Sequence, residues 1–328
     1  MKKTLLLALT CLAQFASTTQ AGDFSQRPDV ADFIAEMHER NGFSTTELDA
    51  AFRLAHRLPA VLKAIRPPAN PAIRSWQTYR GRFVEPKRIA LGSRFWREHQ
   101  AEFSAASQRY GVPEEIIAAI IGVETIYGQH MGRFTTFDAL ATLAFDYPPR
   151  APLFRRELEA LLLLARDEKR NVRDYKGSYA GALGLPQFLP SSLRNYAVDF
   201  DGDGRIDLAA SPADAIGSVA RFLAEHGWQS GQPIYLPAKA EGDKVAEAIA
   251  LGIEPKLQPA DLAAYGISTD PAPTLPATLV DLISPNAATE YRLGFRNFYV
   301  ITRYNKSSFY ASAVADLAEA LREAHHSR

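Results

Sequence analysis

The chain has 328 residues, with Lys plus Arg and Asp plus Glu equal at 37 each, so its formal net charge is zero. That balance argues against a nucleic-acid-binding or polybasic membrane-surface protein, and a hydrophobic fraction of 47% is ordinary for a soluble globular chain. The length allows a large core, divided into on the order of two or three lobes.

Lys2 and Lys3 precede an apolar stretch from Leu5 to about Ala16, followed by Thr19-Gln20-Ala21. This reads as a secretory signal peptide over residues 1–21, cleaved ahead of Gly22. Cys11 is the only cysteine and lies inside that segment behind Ala8-Leu9-Thr10, a poor lipidation box. An exported chain without a lipid anchor is therefore expected, and its mature form has neither disulfides nor thiol chemistry. Beyond the N-terminus no apolar run approaches the roughly 20 residues needed to span a bilayer.

Residues 22–75 read as an N-terminal helical lobe. Val30, Phe33, Ile34 and Met37 recur at helical spacing, and Ser44-Thr45-Thr46-Glu47 resembles a capping box. Pro67, Pro68 and Pro71 close the lobe, and an aromatic, basic stretch with Trp76 and Tyr79 follows. Residues 76–230 then read as a central helical core. Pro86 opens a helix expected to run to about Tyr110, where Gly111 stops it. Further helices are expected over Phe137–Phe145, Leu153–Ala165 and Pro212–Gly227. Residues 231–285 carry strand-like runs (Pro233–Pro237 and Thr278–Ile283) around a short helix at Asp243–Ala250. Residues 286–328 return to the core, with Glu290–Phe295 and Phe298–Thr302 read as strands and a final helix bearing Phe309, Val314, Leu317 and Leu321. The fold class is α+β, mainly α.

Pro113 to Gly128 is the stretch that carries chemistry. Pro113, Glu114 and Glu115 suit a helix start, and Gly128 suits its stop. At about 100° per residue, Ile116, Ile120, Val123 and Tyr127 share an apolar face. Glu124 falls within the apolar arc, between Ile120 and Ile117. A carboxylate there must be paired, neutralised or used, and desolvation raises its pKa toward the range of a general acid. The competing reading is a structural carboxylate held by an arginine. Asp138 and Asp146 are candidates for a second carboxylate, but both adjoin turns and read as helix caps.

Asp199, Asp201, Asp203 and Asp207 occupy positions one, three, five and nine of an acidic loop, with Gly204 sixth and Ile206 eighth. This is the spacing of an EF-hand calcium loop, although position twelve is Ala210; Asp214 is the candidate to make up the shortfall. An Asp/Gly turn stabilised by its own side chains has the same composition. Ser178 to Ser192 is rich in small residues, so that Gly181 and Gly184 allow close backbone approach while Ser178 and Gln187 present polar groups. Tyr79, Tyr304 and Asn305 suit a sugar-stacking and hydrogen-bonding surface, or simply core. No Gly-x-Ser-x-Gly elbow, His-Glu-x-x-His or Walker loop is present, and the seven histidines form no metal pattern.

Gly122-Val-Glu-Thr125, Ala180 to Ser192, Val198 to Gly204 and Ala213 to Ala220, in this order and spacing, resemble the membrane-bound lytic murein transglycosylase B family. The resemblance runs from about Phe33 to the C-terminus. It implies a lysozyme-like core with a helical lobe and a small β-containing lobe, acting on the β-1,4 bond between N-acetylmuramic acid and N-acetylglucosamine in peptidoglycan. It also implies a periplasmic location, glycan strands as substrate, cell-wall synthesis or division proteins as partners, and a structural Ca²⁺. Residue by residue, it makes Glu124 the catalytic acid and Ser178 and Gln187 substrate contacts, with Tyr79, Arg150, Tyr304 and Asn305 in the cleft. Asp199, Asp201, Asp203, the Arg205 carbonyl and Asp214 correspond to the calcium loop. A hydrolytic muramidase and a non-catalytic peptidoglycan-binding protein are the alternatives.

Overall fold

A computed structural model describes residues 23–67 and 74–327. The expected signal peptide, and with it Cys11, lies outside these residues, as do Pro68 and Pro71. Two units are distinguished, divided between Arg57 and Leu58.

In the first unit, α1 (Pro28–Asn41) buries Val30, Phe33, Ile34 and Met37, the residues whose spacing predicted it. Gly42 ends it in the left-handed conformation, its N–H donating to the His38 carbonyl. The side chain of Ser44 accepts a hydrogen bond from Glu47 N at 3.3 Å and so starts α2 (Thr45–Arg53), as the capping pattern predicts.

The second unit opens with α3 (Pro59–Ile65) and α4 (Trp76–Phe83). The single helix expected from Pro86 to Tyr110 is two, α5 (Pro86–Glu98) and α6 (Gln100–Tyr110). The chain turns at His99, whose ring lies tilted against Phe95 at 4.7 Å, and the break lets Phe95 and Phe103 meet edge to face at 5.9 Å. Burial of both rings overrides a pattern that reads as continuous.

Helix α7 (Glu114–Thr125) is the axis of this unit, with every residue from Ile116 to Val123 buried. Helices α5 and α6 pack against it, together with α11 (Pro212–Glu225) and α14 (Ser308–His326) further along the chain. The helix stops before the expected Gly128, because Ile126 and Tyr127 both adopt positive φ, 52° and 55°. Tyr127 thereby folds back under the helix. A Cβ on Gly122 would lie 2.3 Å from its hydroxyl oxygen and one on Gly92 2.1 Å, so both positions must lack a side chain.

After α7, the two-residue strand β1 (Phe134–Thr135) pairs antiparallel with β2 (Lys176–Gly177). Between them run α8 (Thr136–Asp146) and α9 (Ala151–Asp167), packed on each other; α10 (Pro190–Tyr196) packs on α9. The small lobe is an antiparallel sheet of order β4-β3-β6-β5: β3 (Tyr235–Ala240), β4 (Ile267–Ser268), β5 (Thr278–Leu282) and β6 (Glu290–Gly294). Leu236, Leu293 and Leu279 lie in one cross-strand row and form a core with Val245 and Ala248 of α12 (Val245–Ala250).

Phe298–Thr302, expected as a strand, is helical within α13 (Arg296–Tyr304). A short apolar run does not separate strand from helix by periodicity. Asn297 decides the matter: its side chain accepts from Gln229 N and donates to the carbonyls of Gln229 and Gln232, fixing the first turn of α13 on the loop before β3.

Alternation along β6 places Arg292 on the face opposite Leu293. There its guanidinium meets Asp316 of α14 at 2.6 Å and Glu290 at 2.6 Å, while Arg80 of α4 also reaches Asp316 at 2.6 Å. Trp76 donates its indole N–H to Glu290 at 3.1 Å and its backbone N–H to the Ile283 carbonyl at 2.8 Å. A charge network with Arg292 and Asp316 buried at its centre thus ties the small lobe to α4 and α14. Asp316→Ala leaves buried Arg292 without its main partner and is expected to cost about 3 kcal/mol. The measurement is urea denaturation, with a lower midpoint and an unchanged slope.

Candidate active site

Glu124 sits on the last turn of α7 and is mostly but not wholly buried. Its Oε1 accepts a hydrogen bond from the Tyr310 hydroxyl at 2.6 Å. No ion pair reaches it among the described residues, so the arginine-held reading of this carboxyl is not what the structure contains. Burial pushes its pKa up to about 7, against the lowering effect of the Tyr310 hydrogen bond. The negative end of the helix dipole disfavours a carboxylate in the same direction.

Three tyrosines surround this group. Tyr310 and Tyr304 lie nearly parallel, 14° apart at 6.4 Å, and Tyr304 donates its hydroxyl to the Pro186 carbonyl at 2.6 Å. Burial holds the protons of both phenols, and the Glu124 charge holds them further. Tyr79 of α4 packs against Phe83 at 5.0 Å and Phe309 at 5.6 Å; its pKa is raised by burial and then by Glu124. Tyr79 and Tyr304 are therefore both near enough to Glu124 for its charge to raise their pKa values. Asn305 follows directly as an exposed residue at the end of α13. Arg150 is exposed beyond α8, its guanidinium 5.3 Å over the Phe154 ring.

The glycine-rich loop is bolted to the acid's own helix. Thr125, fully buried, donates its hydroxyl to the Leu185 carbonyl at 2.9 Å and accepts from Gly128 N at 3.1 Å. The close approach made possible by Gly181 and Gly184 is an internal one: added Cβ atoms would lie 2.5 Å from Leu140 and 2.4 Å from the Leu208 carbonyl oxygen. Ser178 Oγ accepts from Ala182 N at 3.0 Å and Ala180 N at 3.3 Å, which leaves its proton to offer. Gln187, at φ 51°, donates both amide hydrogens to the Gly184 and Met131 carbonyls and keeps its side-chain oxygen free to accept.

Neither further carboxylate considered from the sequence is a cap. Asp138 lies in the first turn of α8, buried and paired with Arg173 at 2.8 Å, and Asp146 is that helix's last residue. Tyr310 was not singled out in the sequence. Its signal was a polar-tipped residue on the stripe of Val314, Leu317 and Leu321, the apolar face of the last helix.

In the acidic loop, carboxylate oxygens of Asp199, Asp201 and Asp203 lie within 4.8 Å of one another, all three residues exposed. Asp199 orders the turn by accepting from Gly202 N, Asp203 N and Gly204 N. Asp214 is buried next to this exposed trio, close enough to feel the Asp201 charge, with its two oxygens accepting from Phe200 N at 2.7 Å and Asp207 N at 2.8 Å. Burial raises its pKa, and these hydrogen bonds oppose the shift. A convergent set of hard carboxylate oxygens fits Ca²⁺, and each Asp214 oxygen retains a lone pair.

A carboxyl whose pKa burial raises to about 7, hydrogen-bonded to a phenol and free of any ion pair among the described residues, has the chemistry of a general acid. Residues 25–319 match the family model of the transglycosylase SLT domain, and the chain belongs to that family. It is 41% identical over 311 residues to membrane-bound lytic murein transglycosylase B of Escherichia coli, covering 92% of this chain and 84% of that one. It is also similar to the solved soluble lytic transglycosylase SltB1 of Pseudomonas aeruginosa, with 44% identity, a TM-score of 0.85, and 91% and 100% of the two chains covered. Escherichia coli lytic transglycosylase Slt35 in complex with calcium superposes with a TM-score of 0.83 at 40% identity over 95% and 98% of the chains.

The raised pKa carries a stability consequence. Glu124 titrates near 4.5 when unfolded and about 7 when folded, so its contribution is full below about pH 4.5 and is lost as pH rises through 7. Glu124→Gln removes this dependence. Its stability relative to wild type should rise between about pH 4.5 and 7 by up to about 3 kcal/mol, checked by thermal unfolding across that range.

Proposed function

We propose that this chain is a lytic murein transglycosylase working with a single acid. Glu124 protonates the oxygen between N-acetylmuramic acid and N-acetylglucosamine while the muramyl N-acetyl group stabilises the cationic centre at C1. The C–O bond breaks and the N-acetylglucosamine end departs with the proton. The resulting Glu124 carboxylate then takes the proton of the muramyl C6 hydroxyl, whose oxygen bonds to C1 and closes a 1,6-anhydro ring. Glu124 regains the proton it gave, and no water is consumed. Intramolecular attack supplies the nucleophile by proximity, so one carboxyl suffices where hydrolytic glycosidases use two.

The observation that carries this reading is Glu124, its pKa raised by burial to about 7, with Tyr310 as its hydrogen-bond partner and no ion pair on it among the described residues. Ser178 offers its hydroxyl proton to the acetamido carbonyl, Gln187 its side-chain oxygen to a sugar hydroxyl, and Tyr79, Tyr304 and Asn305 line the strand's path. Arg150 marks the cleft's outer edge. Among the described residues no helix is long and apolar enough to cross a membrane. With the signal-like N-terminus, this supports action in the periplasm on peptidoglycan strands, beside proteins of cell-wall synthesis or division.

Ca²⁺ belongs to the same reading as a structural ion, held by Asp199, Asp201, Asp203, the Arg205 carbonyl and Asp214; it crosslinks the loop ahead of α11 and takes no part in the reaction.

Mass spectrometry of digested murein sacculi tests the reaction. Wild type should release 1,6-anhydro-muramyl ends, and Glu124→Gln should be slower by about 10² to 10⁴; free reducing ends from the wild type would contradict the mechanism. A chelator should lower the melting temperature, since an ion bound only by the native state stabilises it by mass action. An unchanged melting temperature in excess chelator removes the calcium assignment and leaves Glu124 untouched.

A further inference from the structure

The α4 segment carries three arginines, and they are treated differently. Arg80 is neutralised by Asp316 at 2.6 Å. Arg74 and Arg82 form no ion pair within 4.0 Å among the described residues, and both are exposed. Both line a cavity of about 370 Å³ whose other walls include Thr78, Tyr79, Ser307 and Phe309. The Arg74 guanidinium lies 4.8 Å over the Phe309 ring, which holds it in place without neutralising it. The cavity is lined by aromatic rings, hydroxyls and two unpaired guanidinium groups, and no carboxylate lines it. Such a surface suits an anion, and paired arginines suit a carboxylate in particular.

Tyr79 connects this cavity to the acid. It is a wall of the cavity, and its phenol senses both the Glu124 charge and the Arg82 charge. Tyr79 also packs on Phe309 at 5.6 Å, and the next residue, Tyr310, donates to Glu124 at 2.6 Å, so a ligand of this cavity lies beside the segments that hold the acid. The sugar rings of the glycan strand are uncharged. The negative charge nearest the scissile bond is on the lactyl arm of N-acetylmuramic acid, either on the peptide it bears or, where that peptide is absent, on the lactyl acid itself.

We propose that Arg74 and Arg82 form a subsite for a carboxylate carried on the muramyl lactyl arm, so that the enzyme reads the substituent as well as the sugar. This inference rests on the glycan-cleavage reading above.

The test compares wild type, Arg74→Gln/Arg82→Gln and Arg74→Lys/Arg82→Lys on three kinds of strand: peptide-bearing, peptide-stripped with a free lactyl acid, and stripped with the lactyl acid converted to a neutral amide. For the Gln pair, kcat/KM on charged strands relative to neutral ones should fall about 10- to 100-fold, mainly through KM. The Lys pair should recover part of it, and added salt should shrink the wild-type preference for charged strands. A fall on peptide-bearing strands alone assigns the subsite to a peptide carboxylate, and a fall on both charged strands assigns it to the arm in general. An unchanged charged-to-neutral ratio, including one in which all three substrates lose equally, overturns the subsite. A wild type inert on every strand overturns the glycan reading itself, and the subsite with it.

Discussion

A carboxyl that must keep its proton in water near neutrality has to be surrounded by groups that do not neutralise its charge, and Glu124 is built to that constraint. An arginine beside it would lower its pKa and make it a structural ion pair. Tyr310 occupies that place instead. A phenol hydrogen bond at 2.6 Å orients the carboxyl and lowers its pKa only in part, so desolvation still prevails and the group titrates near 7. Tyr79 and Tyr304 supply aromatic walls whose own protons are held so firmly that they add no competing charge.

Holding such a group costs the fold something, and the cost is visible in the backbone. Ile126 is β-branched and left-handed at φ 52°, an arrangement worth on the order of 1 to 2 kcal/mol of strain. It ends α7 immediately after the acid and sends Tyr127 back beneath it into the slot left by Gly92 and Gly122. Thr125 then joins the helix end to Leu185, while Tyr304 joins the same loop, at Pro186, to α13. Acid, loop and tyrosine wall are in this way fixed to one another by side chains on three separate segments.

What the sequence made legible follows from what is local. Apolar spacing placed α1 and α7, and it located Glu124 inside the arc rather than opposite it. Ser44 announced its helix start, and the Asp-x-Asp-x-Asp-Gly loop announced converging carboxylates; each is a matter of neighbours a few residues apart. Contacts between distant segments were not legible. Tyr310 reaches Glu124 across 186 residues, Asp138 finds Arg173 across 35, and Trp76 finds Glu290 across 214. No periodicity encodes such pairs. The misread strand at Phe298–Thr302 has the same origin, because the side chain of Asn297 is claimed by the turn at Gln229–Gln232.

Charge placement separates the structural from the chemical in this molecule. Arg292 and Asp316 cancel one another where the small lobe meets the helices, with exposed Arg80 and Glu290 pairing them from the outside, and the burial of the central two is tolerable only because both are paired. Asp138 and Arg173 do the same beside α8. Glu124 lies among groups of the opposite kind, phenols that shape it without cancelling it. With formal charges equal over the whole chain, the unpaired acid and the nearby unpaired Arg74 and Arg82 do not follow from an excess of either sign. They follow from where ion pairs are withheld among the described residues, and in the proposed reading a substrate rather than the protein completes the electrostatics there.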